Sequence, residues 1–246
     1  PDGSTLASGG QDKIVCLWEA KTGNMNRRLE GHEGRVLAVA FSPGGRYLAS
    51  GSADKSVRLW DGKSKKEVRK LSGHNEPVRA LAFSPDGKLL ASGGRDNFIQ
   101  LWDPSSGNPL GQIRGLAAAI QSLAFSPDGT LLAAGSSDNQ ALLFDVGMEK
   151  EIARIAGHDD RVTSVAFSPD GTRLASGSLD ASVRLWKVPP RKEPYLLTPH
   201  ERTILSIAFS PDGKTMASCA LDGSIRLLDL KTGKEVWPPA EARTES

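Results

Sequence analysis

The tripeptide Phe-Ser-Pro occurs at Phe41–Pro43, Phe83–Pro85, Phe125–Pro127, Phe167–Pro169 and Phe209–Pro211, and each copy lies 42 residues after the last. The chain opens on Pro1-Asp2-Gly3, where a sixth copy falls because 43 − 42 = 1. A period of this size restricts the fold to an array of one supersecondary unit, in which each copy buries its apolar face against its neighbours. For a chain of 246 residues the question is therefore which array, rather than how many unrelated domains.

The repeat from Gly31 to Gly73 shows what the unit is. The run RVLAVAF, Arg35 to Phe41, is too short for a helix and rich in small and β-branched residues, so it reads as a strand buried on both faces. The next four residues, SPGG, reverse the chain, because Pro fixes φ and Gly permits positive φ. RYLASGS reads as a second strand, and the turn after it holds Asp54, whose carboxylate suits nearby backbone amides. The glycines of ASGG and ASGS read as turn formers. VRLWD, Val57 to Asp61, alternates and carries the large aromatic Trp60. KEVRKLSG is more polar and reads as an edge strand protected by Lys and Glu from pairing with foreign chains. Four short antiparallel strands per unit, stacked radially so that each sheet covers the next, form a propeller.

Gly-His pairs precede the first strand at Gly31-His32, Gly73-His74 and Gly157-His158, and Trp-Asp ends the third strand at Trp60-Asp61 and Trp102-Asp103. With the turn Asp at Asp12, Asp54, Asp96, Asp138, Asp180 and Asp222, this pattern resembles the WD-repeat β-propeller family, and the FSPDG turns resemble its bacterial arrays. The resemblance covers residues 1 to about 237. It implies an all-β propeller with six visible four-stranded blades, the first lacking its innermost strand. It also implies a hydrogen-bonded set inside each blade: His32, Ser50, Asp54 and Trp60; His74, Ser92, Asp96 and Trp102; His158, Ser176, Asp180 and Trp186; and, without the Trp, His200, Ser218 and Asp222. In the fourth unit the matching positions are Leu116, Ala134 and Phe144, with Asp138 retained. Losing three partners together is what hydrogen-bond energetics favours, since removing one would strand the others. Residues 238–246, beginning Pro238-Pro239, read as a linker or the start of another repeat. Family propellers commonly close at seven blades, so the expectation is a fragment of a larger array.

A recurring Ser, His and Asp also invites a hydrolase reading. All four histidines occupy one repeat position, however, and no enzyme needs four equivalent general bases. The chain lacks a Gly-x-Ser-x-Gly elbow and a phosphate-binding Gly loop. Cys16 and Cys219 stand at unmatched repeat positions, too few for a four-ligand zinc site; both read as buried small apolar residues. No catalytic residue, metal or cofactor is expected.

With 31 basic and 29 acidic residues, a net of +2, nothing in the overall balance suggests nucleic acid or an anionic membrane. The expected function is a non-catalytic protein–protein interaction scaffold in the cytoplasm. Alternatives are a docking or sensory domain of a larger signalling enzyme, such as a bacterial protein kinase, and a propeller enzyme with a central-channel site. The family exposes the residues three and five places after each His, and the one before each turn Asp, on the top face. The resemblance therefore implies a partner surface of Arg35, Leu37, Arg79, Arg95, Arg161, Leu179, Leu205 and Leu221. Guanidinium forks beside leucines suit an acidic-apolar or phosphorylated peptide. The competing reading is that the leucines pack under loops and the arginines are simply solvated.

Overall fold

In the computed structural model each repeat folds into one antiparallel sheet whose neighbouring strands follow chain order. The structure describes residues 1–188, 195–196 and 200–236, so the 238–246 segment lies outside the described residues. The first sheet holds β1 (Thr5–Gly9), β2 (Val15–Glu19) and β3 (Met25–Leu29). The second holds β4 (Val36–Phe41), β5 (Tyr47–Ser52), β6 (Ser56–Asp61) and β7 (Glu67–Ser72). The third holds β8 (Val78–Phe83), β9 (Leu90–Gly94), β10 (Ile99–Trp102) and β11 (Pro109–Ile113). The fourth holds β12 (Ile120–Phe125), β13 (Leu131–Ser136), β14 (Ala141–Asp145) and β15 (Lys150–Ile155). The fifth holds β16 (Val162–Phe167), β17 (Arg173–Ser178), β18 (Val183–Lys187) and β19 (Tyr195–Leu196). The sixth holds β20 (Ile204–Phe209), β21 (Thr215–Ala220) and β22 (Ile225–Asp229). The chain is thus all-β, in six blade-type sheets, and among the described residues no helix is long and apolar enough to cross a membrane. The first sheet has three strands, which match β5, β6 and β7 of the second. Of the sixth sheet, three strands and an isolated bridge between Leu228 and Glu235 lie among the described residues; the rest of its expected outer strand lies outside them.

Two compact units can be distinguished, Pro1–Leu123 and Ala124–Ser246, with the boundary inside β12. Within the first, Val15, Leu17 and Leu29 of the first sheet close on Val36, Leu48 and Trp60 of the second. The opposite face of the second sheet, with Ala49, Val57 and Leu59, packs on Val78, Leu90 and Trp102 of the third. Within the second unit, Ala133, Ala141 and Leu143 meet Val162, Leu174 and Trp186, and Ala175, Val183 and Leu185 meet Ile204, Met216 and Leu228. The third strands β6 and β18 therefore send adjacent residues, Leu59 and Trp60 and then Leu185 and Trp186, to opposite neighbours, as the pleat requires. Each fully buried Leu or Val contributes about 1.5–3 kcal/mol.

Three sequence expectations are corrected. In the repeat from Gly31 to Gly73 the first strand is not the most buried one: β4 is largely half-exposed while β5 is buried throughout. An edge strand is paired on one side only, whereas the second strand has a partner on each side and a sheet over each face. The glycines within ASGG and ASGS are not all turn formers. Gly51 lies inside β5, and a Cβ there would stand 2.9 Å from Val78 Cγ1; at Gly177 it would stand 2.5 Å from Ile204 Cγ2. These glycines let the next sheet's β-branched side chain approach the backbone. The matching residue of the sixth sheet is Cys219, which with Cys16 is a free and partly exposed thiol, not a buried one.

Candidate functional site

The turn after each second strand brings the Asp back over the His that precedes the first strand. In the second sheet His32 Nδ1 lies 2.8 Å from Asp54 Oδ2, His32 Nε2 lies 2.8 Å from Ser50 Oγ, and Trp60 Nε1 donates to Ser50 Oγ at 2.8 Å. The third sheet repeats this with His74, Asp96, Ser92 and Trp102, all at 2.7 Å. The fifth does so with His158 to Asp180 at 2.8 Å, His158 to Ser176 at 2.7 Å and Trp186 to Ser176 at 2.8 Å. One tautomer accounts for every one of these contacts. The carboxylate only accepts, so Nδ1 carries the proton; the indole only donates, so the Ser hydroxyl accepts from Trp and donates to Nε2.

The His–Asp and His–Ser links are those of a nucleophilic triad, but the serines are sealed. Ser50, Ser92 and Ser176 are each 0 % exposed, and the Trp indole occupies the oxygen that would attack. No acyl or phosphoryl group can reach it.

A further member escaped the sequence reading. Ser56 and Ser182, two residues after the Asp, donate to its second oxygen at 2.6 Å in both cases. The recurrence of Asp-x-Ser at the repeat period was the available signal. Burial by itself raises the Asp180 carboxyl, but bonds from Ser182, the Asp159 amide and His158 outweigh it and hold the group at about 2. The same balance of burial against bonds from Ser56, the Glu33 amide and His32 keeps Asp54 well below the usual carboxylate range. Burial pushes His32, His158 and His200 down from 6.5, and the nearby cations Arg58, Arg184 and Arg226 act in the same direction.

The remaining sheets depart in instructive ways. In the third, Phe98 replaces the second serine, stacks on His74 at 4.9 Å, and leaves Asp96 Oδ1 without a hydrogen bond. In the sixth, Ser224 stands between His200 and Asp222: His200 Nδ1 meets Ser224 Oγ at 2.8 Å while the Asp222 carboxylate is 3.8 Å away. Leu228 replaces the Trp, and Ser218 keeps its bond to His200 Nε2 at 2.7 Å. In the first sheet Trp18 donates to Ser8 at 2.8 Å. In the fourth, Leu116, Ala134 and Phe144 are all buried. The replacement is not wholly apolar, because Asp138 Oδ1 and Gln140 Oε1 remain buried without partners, Asp138 meeting only Arg154 through its other oxygen at 3.5 Å.

The residues five places after each His share a feature invisible in the sequence. Val36 pairs with Ser52 and Ala38 with Gly51, which leaves Leu37 as the extra residue of a β-bulge; Arg79, Thr163 and Leu205 are the extra residues of the matching bulges. A bulge turns its extra side chain out of the ladder. The adjoining turn is tied to the start of the first strand by single backbone bonds: Ala53 N to Arg35 O at 2.8 Å, Arg95 N to Pro77 O at 3.2 Å, Leu179 N to Arg161 O at 3.0 Å and Leu221 N to Thr203 O at 2.9 Å. In the first unit Arg35 and Arg95 are exposed, Leu37 is 37 % exposed, and Arg79 is half-buried with a bond to Gln121. In the second unit Arg161 is exposed, Leu205 and Leu221 are 50 % and 57 % exposed, and Leu179 is half-buried. The leucines at 37, 205 and 221 therefore do not pack under loops.

Residues 1–152 match a family model described as the IFT122 first beta-propeller, and residues 149–187 and 191–229 match the WD domain, G-beta repeat. Nuclear distribution protein PAC1 of Coprinopsis cinerea is 54% identical over 43 residues, 18% of this chain and 10% of that protein. The U5 small nuclear ribonucleoprotein 40 kDa protein of Pongo abelii is 42% identical over 43 residues, 18% of this chain and 12% of that protein. An uncharacterized WD repeat-containing protein, C227.12, of Schizosaccharomyces pombe is 54% identical over 41 residues, 17% of this chain and 9% of that protein. The chain thus spans about a tenth of the length of these curated relatives, and each match is about one repeat long.

Proposed function

Because the chain belongs to the WD-repeat β-propeller family, we propose that it is a non-catalytic platform that binds a peptide or protein partner through its bulge and turn residues. Proteins of this family generally bind protein partners and are typically not enzymes. The observation that carries the reading is the set of first-strand bulges. One backbone device recurs at equivalent positions, yet it presents Leu37, Arg79, Thr163 and Leu205. A scaffold position that is constant in geometry and variable in chemistry suits recognition.

Each unit offers its own surface. The first combines Arg35, Arg79 and Arg95 with Leu37. The second sets Arg161 and Leu179 on the fifth sheet and Leu205 and Leu221 on the sixth. A partner with an apolar anchor and a carboxylate or phosphate fits both, since the guanidinium fork pairs with planar anions and the half-exposed leucines gain most from being covered. Charge reversal at Arg161 weakens an acidic partner, whereas Lys150→Glu on the outer strand of the fourth sheet leaves it unchanged. The sealed serines add a second test: a phosphonylating probe leaves Ser50, Ser92 and Ser176 unlabelled in the folded protein. Labelling of any of them contradicts the non-catalytic reading.

A further inference from the structure

The outer edges of the first two sheets differ from the rest. Strands β3 and β7 are the last strands of their sheets, so each presents one row of backbone groups that no strand of its own sheet covers. Arg27 and Arg28 in β3, and Arg69 and Lys70 in β7, occupy the same two repeat positions. All four side chains are exposed. The hairpin before β7 adds Lys63, Lys65 and Lys66. Arg69 donates to the Ser105 carbonyl, and Arg58 engages Glu67. Among the described residues, no ion pair includes Arg27, Arg28, Lys66 or Lys70. Residues 1–123 carry 17 basic and 12 acidic side chains, net 17 − 12 = +5, and residues 124–246 carry 14 and 17, net 14 − 17 = −3.

Lysine on an edge strand ordinarily serves to discourage pairing with other chains. That need is the same for every outer strand, yet the matching positions of the third sheet are Gly111 and Gln112, and those of the fourth are Ala153 and Arg154. Arg154 is neutralised by Glu151 at 2.6 Å and Asp138 at 3.5 Å. Edge protection therefore does not explain an uncompensated pair of cations repeated on two successive sheets. Consecutive strand residues point to opposite faces, so each edge carries a cation on both sides of its open backbone row.

We propose that β3 and β7 form a docking edge for an acidic, extended polypeptide segment. Such a segment pairs its backbone with the open edge and sets its carboxylates against Arg28 and Lys70, while its apolar side chains meet Met25 and Val68, which are 47 % and 43 % exposed. This is strand addition with electrostatic selection. The edge suits a polypeptide over a nucleic acid because neither strand holds an aromatic residue on which a base could stack. The proposal does not depend on the bulge and turn surface described above.

The test uses fluorescence anisotropy of a labelled peptide of alternating Glu and Val against the full chain. The wild type binds it, and Arg28→Glu with Lys70→Glu raises Kd about tenfold or more. The neutral pair Arg28→Gln with Lys70→Gln gives a smaller rise, and Arg161→Glu and Lys150→Glu give none. Circular dichroism and the melting temperature establish that each variant is folded. A peptide of the same composition with Glu and Val in separate blocks binds more weakly. The proposal is overturned by absence of binding to the wild type, by unchanged Kd in the folded double variants, or by equally tight binding of an oligothymidylate or of anionic lipid vesicles.

Discussion

Leu37 and Arg79 occupy one and the same place in successive sheets, each the residue that its first strand inserts between two consecutive pairs of the ladder. At Leu37 and Leu205 the side chain there is partly exposed, 37 % and 50 %. Leu37→Asn and Leu205→Asn are therefore expected to change unfolding free energy by no more than about 0.5 kcal/mol, read from urea denaturation midpoints at constant m-value. A loss several times larger would place these leucines in the core.

The polar sets behave oppositely. Asp180 accepts from His158 at 2.8 Å, Ser182 Oγ at 2.6 Å and the Asp159 amide at 3.0 Å. Asp180→Ala removes the 2.8 Å partner of His158 Nδ1 and leaves only the longer 3.2 Å contact to Ser182 Oγ, and the expected loss is about 1–3 kcal/mol. Asp138 has no His to satisfy and an oxygen already unpartnered, so Asp138→Ala costs less. Equal losses in matched denaturation curves would contradict the distinction.

The residue after each turn Asp adopts positive φ: Lys13, Lys55, Asn97, Asn139, Ala181 and Gly223, with Ala181 at φ 65 and Gly223 at φ 79. Alanine pays a steric cost there that glycine does not. Ala181→Gly is expected to stabilise by about 0.5–1 kcal/mol, and Gly223→Ala to destabilise by a similar amount. Thermal melts of the two variants check this; matching signs would contradict it.

Acid sensitivity follows from the same sets. His32, His158 and His200 lie below 6.5 in the folded chain, so the unfolded chain takes up protons first and stability falls as pH drops below about 6.5. Asp180 and Asp222, held at about 2 against an ordinary 3.8, add stability above pH 3.8 that is lost as pH falls toward 2. Both effects have one sign. The urea midpoint is expected to decline from pH 7 to 5, and less so in His158→Asn. A midpoint that rises over that interval would reverse the sign assigned to the histidines.

The polar sets could be read from the repeat because His, Ser, Asp and Trp recur in one phase, and a phase shared by several residue types has few physical explanations. Other features have no such signature. Gly51 reads as a turn former until Val78 is seen against it, because close approach belongs to the neighbouring sheet and not to the local chain. The bulge at Leu37 inserts one residue without altering composition. The exposure of β4 follows from its place at a sheet edge, which an apolar run of six residues does not disclose. Ser56 was within reach, since Asp-x-Ser repeats, but a serine near a turn is too common to single out. Cys219 shows the converse: its departure from glycine was visible, and its meaning required the strand it sits in.

Recognition through the bulges and turns is decided by comparative capture from the native lysate, quantified by mass spectrometry. The baits are the wild type, Arg35→Glu with Leu37→Asp, Leu205→Asp with Leu221→Asp, and Lys150→Glu, each verified as folded. The expected result is a protein partner held by the wild type and Lys150→Glu and lost at least tenfold, about 1.4 kcal/mol, from one or both double variants. Retention of every captured partner by both folded double variants would contradict the proposed surface.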